Sequence, residues 1–229
     1  MTPEKEVDFS LYLNPTVYID SNSITIIEYS NKICKGIQSD FDKAIRLYYA
    51  VRDEIIYDPY GIELSEKGMK ASTTLEKKSG FCVAKSILLA AVARAQKIPA
   101  RLGFADVKNH LATKKLKDLM GTDIFIYHGY IELFLNKKWV KATPVFNKSL
   151  CEKFNVKPLE FDGINNSMFH PLDNSGNKHM EYLKDHGHYH DLPIDEIYES
   201  YSKHYPHMVE YLDQLKGDFE KEAITENNI

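Results

Sequence analysis

Cysteine is scarce in this chain: Cys34, Cys82 and Cys151 are the only three in 229 residues. An odd, widely spaced set excludes a disulfide framework and points to thiols kept in a reducing setting. The N-terminus has no basic segment followed by an apolar run, so no secretory leader is expected. No apolar stretch is long enough to span a bilayer, and the longest one carries Lys85 and Arg94. Positive charge is not in excess, with 29 Lys and Arg against 33 Asp and Glu and a net charge of -4. The basic residues are spread along the chain, which argues against a nucleic-acid footprint. Neither G-x-x-x-x-G-K-[ST] nor G-x-G-x-x-G occurs, so no nucleotide cofactor is indicated. These absences predict a cytoplasmic protein that works without nucleic acid, membrane, organic cofactor or metal.

What is present is an apolar, aromatic chain. Hydrophobic residues make up 43% and aromatic residues 12%, with 15 tyrosines and a single Trp139. That is enough for one domain over residues 1–229, with a core at about 40–147 and helical or loop additions at either end. Residues 12–19 contain Pro15 and suggest an extended lead-in. Asp20 or Ser21 can cap a helix running to about Cys34. Ser39 starts a better one, in which Ala44, Leu47, Tyr48, Val51 and Ile55 recur at helical spacing. A short helix is expected at 73–78, a strand at 100–107, and a helical or mobile insertion at 108–122. Residues 123–135 and 139–143 form a hairpin around Asn136-Lys137-Lys138. Residues 147–193 are rich in Asn, Asp, Gly, Pro and His and predict long loops. A last helix is expected at 195–204, followed by a polar tail that frays. Helices followed by an antiparallel sheet make an α+β layout.

The most informative segment is Gly80-Phe81-Cys82-Val83-Ala84-Lys85, which opens a helix apolar on nearly every side. A thiol at a helix N-terminus meets unpaired backbone N–H groups and the positive end of the helix dipole. Both favour the nucleophilic thiolate. The bland alternative is a buried cysteine acting as a small hydrophobe. A cysteine nucleophile needs a base, and His128 at the start of the second strand is the best candidate. With the turn at 136–138, even residues of that strand share a face with odd residues of the return strand. His128, Tyr130, Thr143, Val145 and Asn147 then lie on one face. The oxyanion donors would be the Cys82 backbone N–H and one upstream group among Tyr57, Tyr60, Ser72 and Thr73.

Two blocks together resemble a known family. The first is Gly80-Phe81-Cys82 followed by Arg94-Ala95-Gln96-Lys97-Ile98-Pro99-Ala100-Arg101. The second is His128-Gly129-Tyr130-Ile131-Glu132-Leu133-Phe134 continuing to Trp139 and Pro144. Over residues 57–144 the chain resembles the bacterial transglutaminase-like cysteine enzymes, with their G-x-C, R-A-x-G-I-P-A-R and H-A-W-V-E-V-Y motifs. The resemblance implies a papain-like core, with the central cysteine-bearing helix packed on an antiparallel sheet. It also implies a Cys-His-Asp triad acting by acyl transfer on a protein or peptide substrate. The family's aspartate falls at Thr143, which can accept a hydrogen bond but brings no charge. Thr143 itself, Asn147, or a carboxylate such as Asp123, Asp106 or Asp162 are the candidates to orient His128.

Two expectations follow. In the first, Cys82 and His128 transfer acyl groups from amides through a thioester, to water as a peptidase or amidase or to an amine as a cross-linking enzyme. In the second, the missing acid marks an impaired transglutaminase-like module that binds peptides or serves as a scaffold. His186, His188 and His190 alternate and could bind a metal, but no second ligand cluster lies at a recognised spacing. A polar loop is the simpler reading of that stretch. His170, His179, Glu181 and the 106–110 segment are candidates to line the cleft. Cys34 and Cys151 are expected to have no catalytic role, and Trp139 reads as a core anchor.

Overall fold

The computed structural model describes residues 8–227. The expectation about a leader concerns residues 1–7, which lie outside that range, as do the last two residues of the tail. The helices are α1 (Ser10–Leu13), α2 (Ile24–Ile33), α3 (Asp40–Glu54), α4 (Ala71–Lys77), α5 (Cys82–Ala95), α6 (Lys114–Met120), α7 (Lys148–Lys153), α8 (Ile194–His204), α9 (Pro206–Glu210) and α10 (Phe219–Asn227). The strands are β1 (Ile56–Tyr57), β2 (Ser79–Gly80), β3 (Ala100–Asn109), β4 (Ile124–Leu135), β5 (Lys138–Ala142) and β6 (Met180–Tyr189). Strands β5-β4-β3-β6 form one antiparallel sheet, and β1 pairs with β2 in parallel. The architecture is α+β, with α5 central and packed on the sheet.

Helix α5 is buried along its whole length save Ala95, which explains why its sequence has no polar face. Its two cations are buried too, and both are used as pins. Lys85 Nζ donates to the carbonyls of Arg52 (2.9 Å) and Ile55 (2.5 Å), capping the C-terminal end of α3. Burial pulls this ammonium down to about 7. The Arg94 guanidinium donates to the carbonyls of Ala100, Asn14 and His190. It thereby ties α5 to β3, to the N-terminal segment and to the end of β6.

The β4–β5 hairpin has the expected parity, pairing Ile131 with Ala142 and Leu135 with Lys138. Its turn residues Asn136 and Lys137 both have positive φ (48° and 65°), as a two-residue hairpin with the twist of its strands requires. Helix α3 begins on Ser39, whose hydroxyl accepts from the Asp42 N–H.

Several segments differ from the sequence expectation. The extended lead-in expected at 12–19 begins inside the short helix α1, and residues 14–19 run as bends and irregular chain. The 147–193 region is not all loop: α7 lies within it, and residues 180–189 form β6 along β3. Tyr182, Leu183, Lys184 and Asp185 are exposed on that edge, which removes the apolar alternation by which a strand is recognised. The tail from 218 is helix α10 through Asn227, held by buried Phe219 and Ala223 and by the Tyr60 hydroxyl donating to Glu222 (2.6 Å).

Candidate active site

Cys82 is the first residue of α5, and the β1–β2 pair delivers it there. Tyr57 pairs with Gly80, and the Asp58 N–H donates to the Gly80 carbonyl (3.1 Å). Strand β4 crosses this helix end at Gly129. A Cβ at Gly129 would lie 2.9 Å from the Val83 Cα and 3.3 Å from the Cys82 carbonyl oxygen, so only glycine allows the approach. The next residue back is His128. Cys82 and His128 both line one narrow slot of about 30 Å³, room for roughly one water molecule.

The slot is desolvated, and both groups respond. Burial pushes the Cys82 thiol up to about 11, against the backbone N–H groups of Gly129, Val83 and Cys82, which favour the thiolate. Burial pulls His128 down to about 4. Both groups are therefore neutral, a thiol and an imidazole that line the same slot. Cys151 makes the contrast. Burial pushes it up to about 12, its thiol donates to the Phe146 carbonyl (3.8 Å), and the charged groups that act on it are Arg52, Asp53, Lys85 and Glu152 rather than a histidine.

The remaining wall is apolar and aromatic. Tyr57, Pro59, Ile62 and Phe81 line one side, and Leu116, Met120, Phe125 and Ile126 another. Tyr201 of α8, Met208 of α9 and Tyr205 between the two helices form the roof. The Tyr205 hydroxyl accepts from the Ile126 N–H (2.5 Å) and donates to the Ile124 carbonyl (2.8 Å). This seals the β4 backbone beyond the end of its β5 ladder. The roof was missed in the sequence, although Ile197, Tyr201, Tyr205 and Met208 recur at helical spacing and form a legible buried face.

The candidate orienters of His128 are not brought to its ring. Thr143 is buried, and its hydroxyl donates to Met168 Sδ (3.5 Å). Asn147 Oδ1 accepts from the Tyr57 N–H (3.1 Å) and its Nδ2 donates to Ser149 Oγ (2.7 Å), so Asn147 supports β1. Asp123 pairs with Lys108, and Asp162 accepts from the backbone of Ile164 and Asn165. Asp106 accepts from the backbone of Tyr127, the residue next to His128. The ring of His128 instead meets Phe169 edge to face, with centroids 5.3 Å apart.

Of the four upstream groups, Tyr57 reaches the slot. The Tyr60, Ser72 and Thr73 hydroxyls are engaged by Glu222, Asp20 and the Lys67 carbonyl. His179 is buried with both ring nitrogens unpartnered, packed against Phe146 and Phe169. His170 borders a separate open cleft with Ser167 and Met168. His110 bonds to Glu181 (2.8 Å). Within the histidine stretch, His186 bonds to Asp106 (2.7 Å), and His188 and His190 are exposed. Among the described residues no cluster of His, Cys, Asp and Glu is arranged to hold a metal ion. No described helix is long and apolar enough to cross a membrane. Trp139 lies away from the slot, with the Arg101 guanidinium over its ring at 4.1 Å.

No curated protein matches the sequence. Among solved structures, a candidate cysteine protease of Cytophaga hutchinsonii aligns with a TM-score of 0.49 and 15% identity, covering 81% of this chain and 55% of its own. A candidate protease of Parabacteroides distasonis aligns with a TM-score of 0.38 and 13% identity, covering 52% of this chain and 23% of its own. The chain thus spans about half the length of the first and less of the second. Residues 27–144, just over half of the chain, match the profile of the transglutaminase-like superfamily. That span runs from α2 through the β4–β5 hairpin and contains Cys82, Gly129 and His128. The chain belongs to the transglutaminase-like superfamily, a family of cysteine-type enzymes.

Proposed function

We propose that the protein is a cysteine acyltransferase or hydrolase acting on amide bonds of a protein or peptide, with Cys82 as nucleophile and His128 as base. The observation that carries this reading is the shared slot. Cys82 and His128 both line it, backbone N–H groups of Gly129, Val83 and Cys82 face the thiol, and α5 and β4 both lie within the family match.

The chemistry follows from the geometry. His128 takes the proton of Cys82, and the thiolate attacks the carbonyl carbon, forming a C–S bond. The oxyanion is met by the backbone N–H of Cys82, one of the first-turn donors that an α-helix leaves unpaired. The C–N bond breaks as the amine leaves with the proton from His128, and a thioester remains on Cys82. Water then attacks, giving up a proton to His128, and releases the acid and the thiol. An amine in place of water gives a new amide. Among the described residues no carboxylate bonds to His128, so its imidazolium is less stabilised than in a full triad.

The test is acyl capture. A digest of a denatured protein supplies many amide donors, and hydroxylamine intercepts a thioester as a hydroxamate. Hydroxamate formation together with an acyl adduct on Cys82, both lost in Cys82→Ala, is the expected result. The reading falls if the native protein gives neither and iodoacetamide alkylates Cys82 no faster than Cys151. Peptide retention without turnover would then favour a binding module, the role that Thr143 at the acid position supports.

A further inference from the structure

We propose that Asp106 is a positioning residue for His128: with His186 it clamps the left-handed Tyr127 backbone that turns the imidazole toward Cys82. This rests on the reading of Cys82 and His128 as a working pair.

The ladder between β3 and β4 runs in register from Ala100–Leu133 to Ala105–His128, then shifts, so that Val107 meets Phe125. Two residues of β4, Ile126 and Tyr127, therefore oppose Asp106 alone, which makes a bulge in β4. Tyr127 sits at φ +53°, a conformation that a bulky L-residue adopts only when its surroundings force it. Bulges re-aim the side chain beside them, and here that side chain is His128.

The forcing groups are all in view. Asp106 Oδ1 accepts from the Tyr127 N–H at 3.0 Å and from His186 Nε2 at 2.7 Å. The His186 ring stacks on the Tyr127 ring, with centroids 4.1 Å apart and planes 20° apart. The Tyr127 hydroxyl donates to Glu196 of α8 (3.2 Å). The side chains of Asp106 and His186 are only 13% and 9% exposed, so their bond is shielded from competing water. Strand β6 carries its own register shifts opposite Asp106, which brings His186 over the bulge. The clamp is thus built from three strands, and it fixes the backbone of the base rather than the far nitrogen of its ring.

The experiment follows the rate of Cys82 alkylation by iodoacetamide from neutral to alkaline pH, read by mass spectrometry, with His128→Ala as the floor. Native protein should exceed that floor by about 10²-fold or more, the low end of what a positioned base contributes. Asp106→Ala should fall to within about twofold of the floor and take on its pH profile, since an outer-shell partner can govern the group it orients. Asp106→Asn keeps an Oδ1 acceptor for both donors and should restore most of the native rate. A merely structural role would lower the melting temperature of Asp106→Ala while leaving its pH–rate profile native, and that result overturns the proposal. Should Asp106→Ala not fold, His186→Ala decides: a lower rate supports the clamp, and a native profile overturns it. Equal rates for native protein and His128→Ala would remove the pair itself, and the clamp with it.

Discussion

The slot has two unlike sides. The side that holds Cys82 and His128, its wall, is made by α5 and β4, and the placing of both residues there is set by main chain. The β1–β2 pair delivers Cys82, and Gly129 lets β4 touch the helix end. The roof, α8 and α9, lies after the family-matched span and reaches β4 through side chains. Its polar ties are tyrosine hydroxyls: Tyr205 on the β4 backbone, with Tyr127 and Tyr189 on Glu196. Main-chain fixation suits atoms that must be placed to fractions of an ångström. Side-chain ties of about 1 kcal/mol each are easier to break. On the proposed function, the wall would hold the reactive groups, and whether the roof controls access to them is what the variants below test.

The largest expected effect breaks the wall at its base. His128→Ala should lower hydroxamate formation by about 10²–10⁴-fold, the usual contribution of general acid–base catalysis. Hydroxamate release per mole of enzyme checks this, and a loss below about fivefold would take the base role from His128. Next comes Gly129→Ala. Its Cβ would meet backbone at 2.9 Å, which cannot yield as a flexible side chain does. Overpacking of this kind costs about 1–3 kcal/mol, read from the denaturation midpoint. Parting α5 from β4 should also slow Cys82 alkylation, because the Gly129 N–H then leaves the sulfur.

Much of the wall was legible in the sequence because it rests on local rules. A cysteine opening an all-apolar helix, an Ile-Pro exit into a strand, and a hairpin parity that puts His128 on a definite face all follow from short stretches. The clamp was not legible. Asp106 appeared as one of three carboxylates that could orient His128 and in a segment that could line the cleft, because nothing local says that Tyr127 takes a positive φ or that His186 arrives from eighty residues away. Strand β6 was hidden for a related reason: at the edge of the sheet with an exposed face, it has no periodic apolar pattern. The roof was only half hidden. Its helix was expected at 195–204, but where an amphipathic helix docks is decided by long-range packing.

The roof is tested more gently, with Tyr205→Phe. Removing one hydroxyl frees the Ile126 N–H and the Ile124 carbonyl and takes little volume. About 1–1.5 kcal/mol of closure should go, which raises the open population and the rate of Cys82 alkylation by roughly tenfold. The pH dependence should move as well. Closed, burial holds the thiol at about 11. Hydrated by opening, it returns toward the free-thiol value of about 8.5, so the alkylation rate should turn on at lower pH in the variant. An unchanged rate and an unchanged turn-on would mean that α8 and α9 do not gate the slot.

The smallest effect falls where the family's acid is missing. Among the described residues the Thr143 hydroxyl bonds only to a thioether sulfur, a weak acceptor, and the Thr143 carbonyl is held separately by the Tyr48 hydroxyl at 3.3 Å. Valine keeps the branched shape and that carbonyl. Thr143→Val should therefore cost less than about 1 kcal/mol of stability, since no strong bond is broken. Cys82 reactivity should stay within about twofold of native, because the hydroxyl does not touch His128 in the closed slot. A loss of about tenfold or more with an unchanged melting temperature would show that the hydroxyl swings from Met168 to the imidazole when the roof opens. Thr143 would then belong with the chemistry of the wall, and orientation of the base would be a property of the open state that Asp106 alone does not supply.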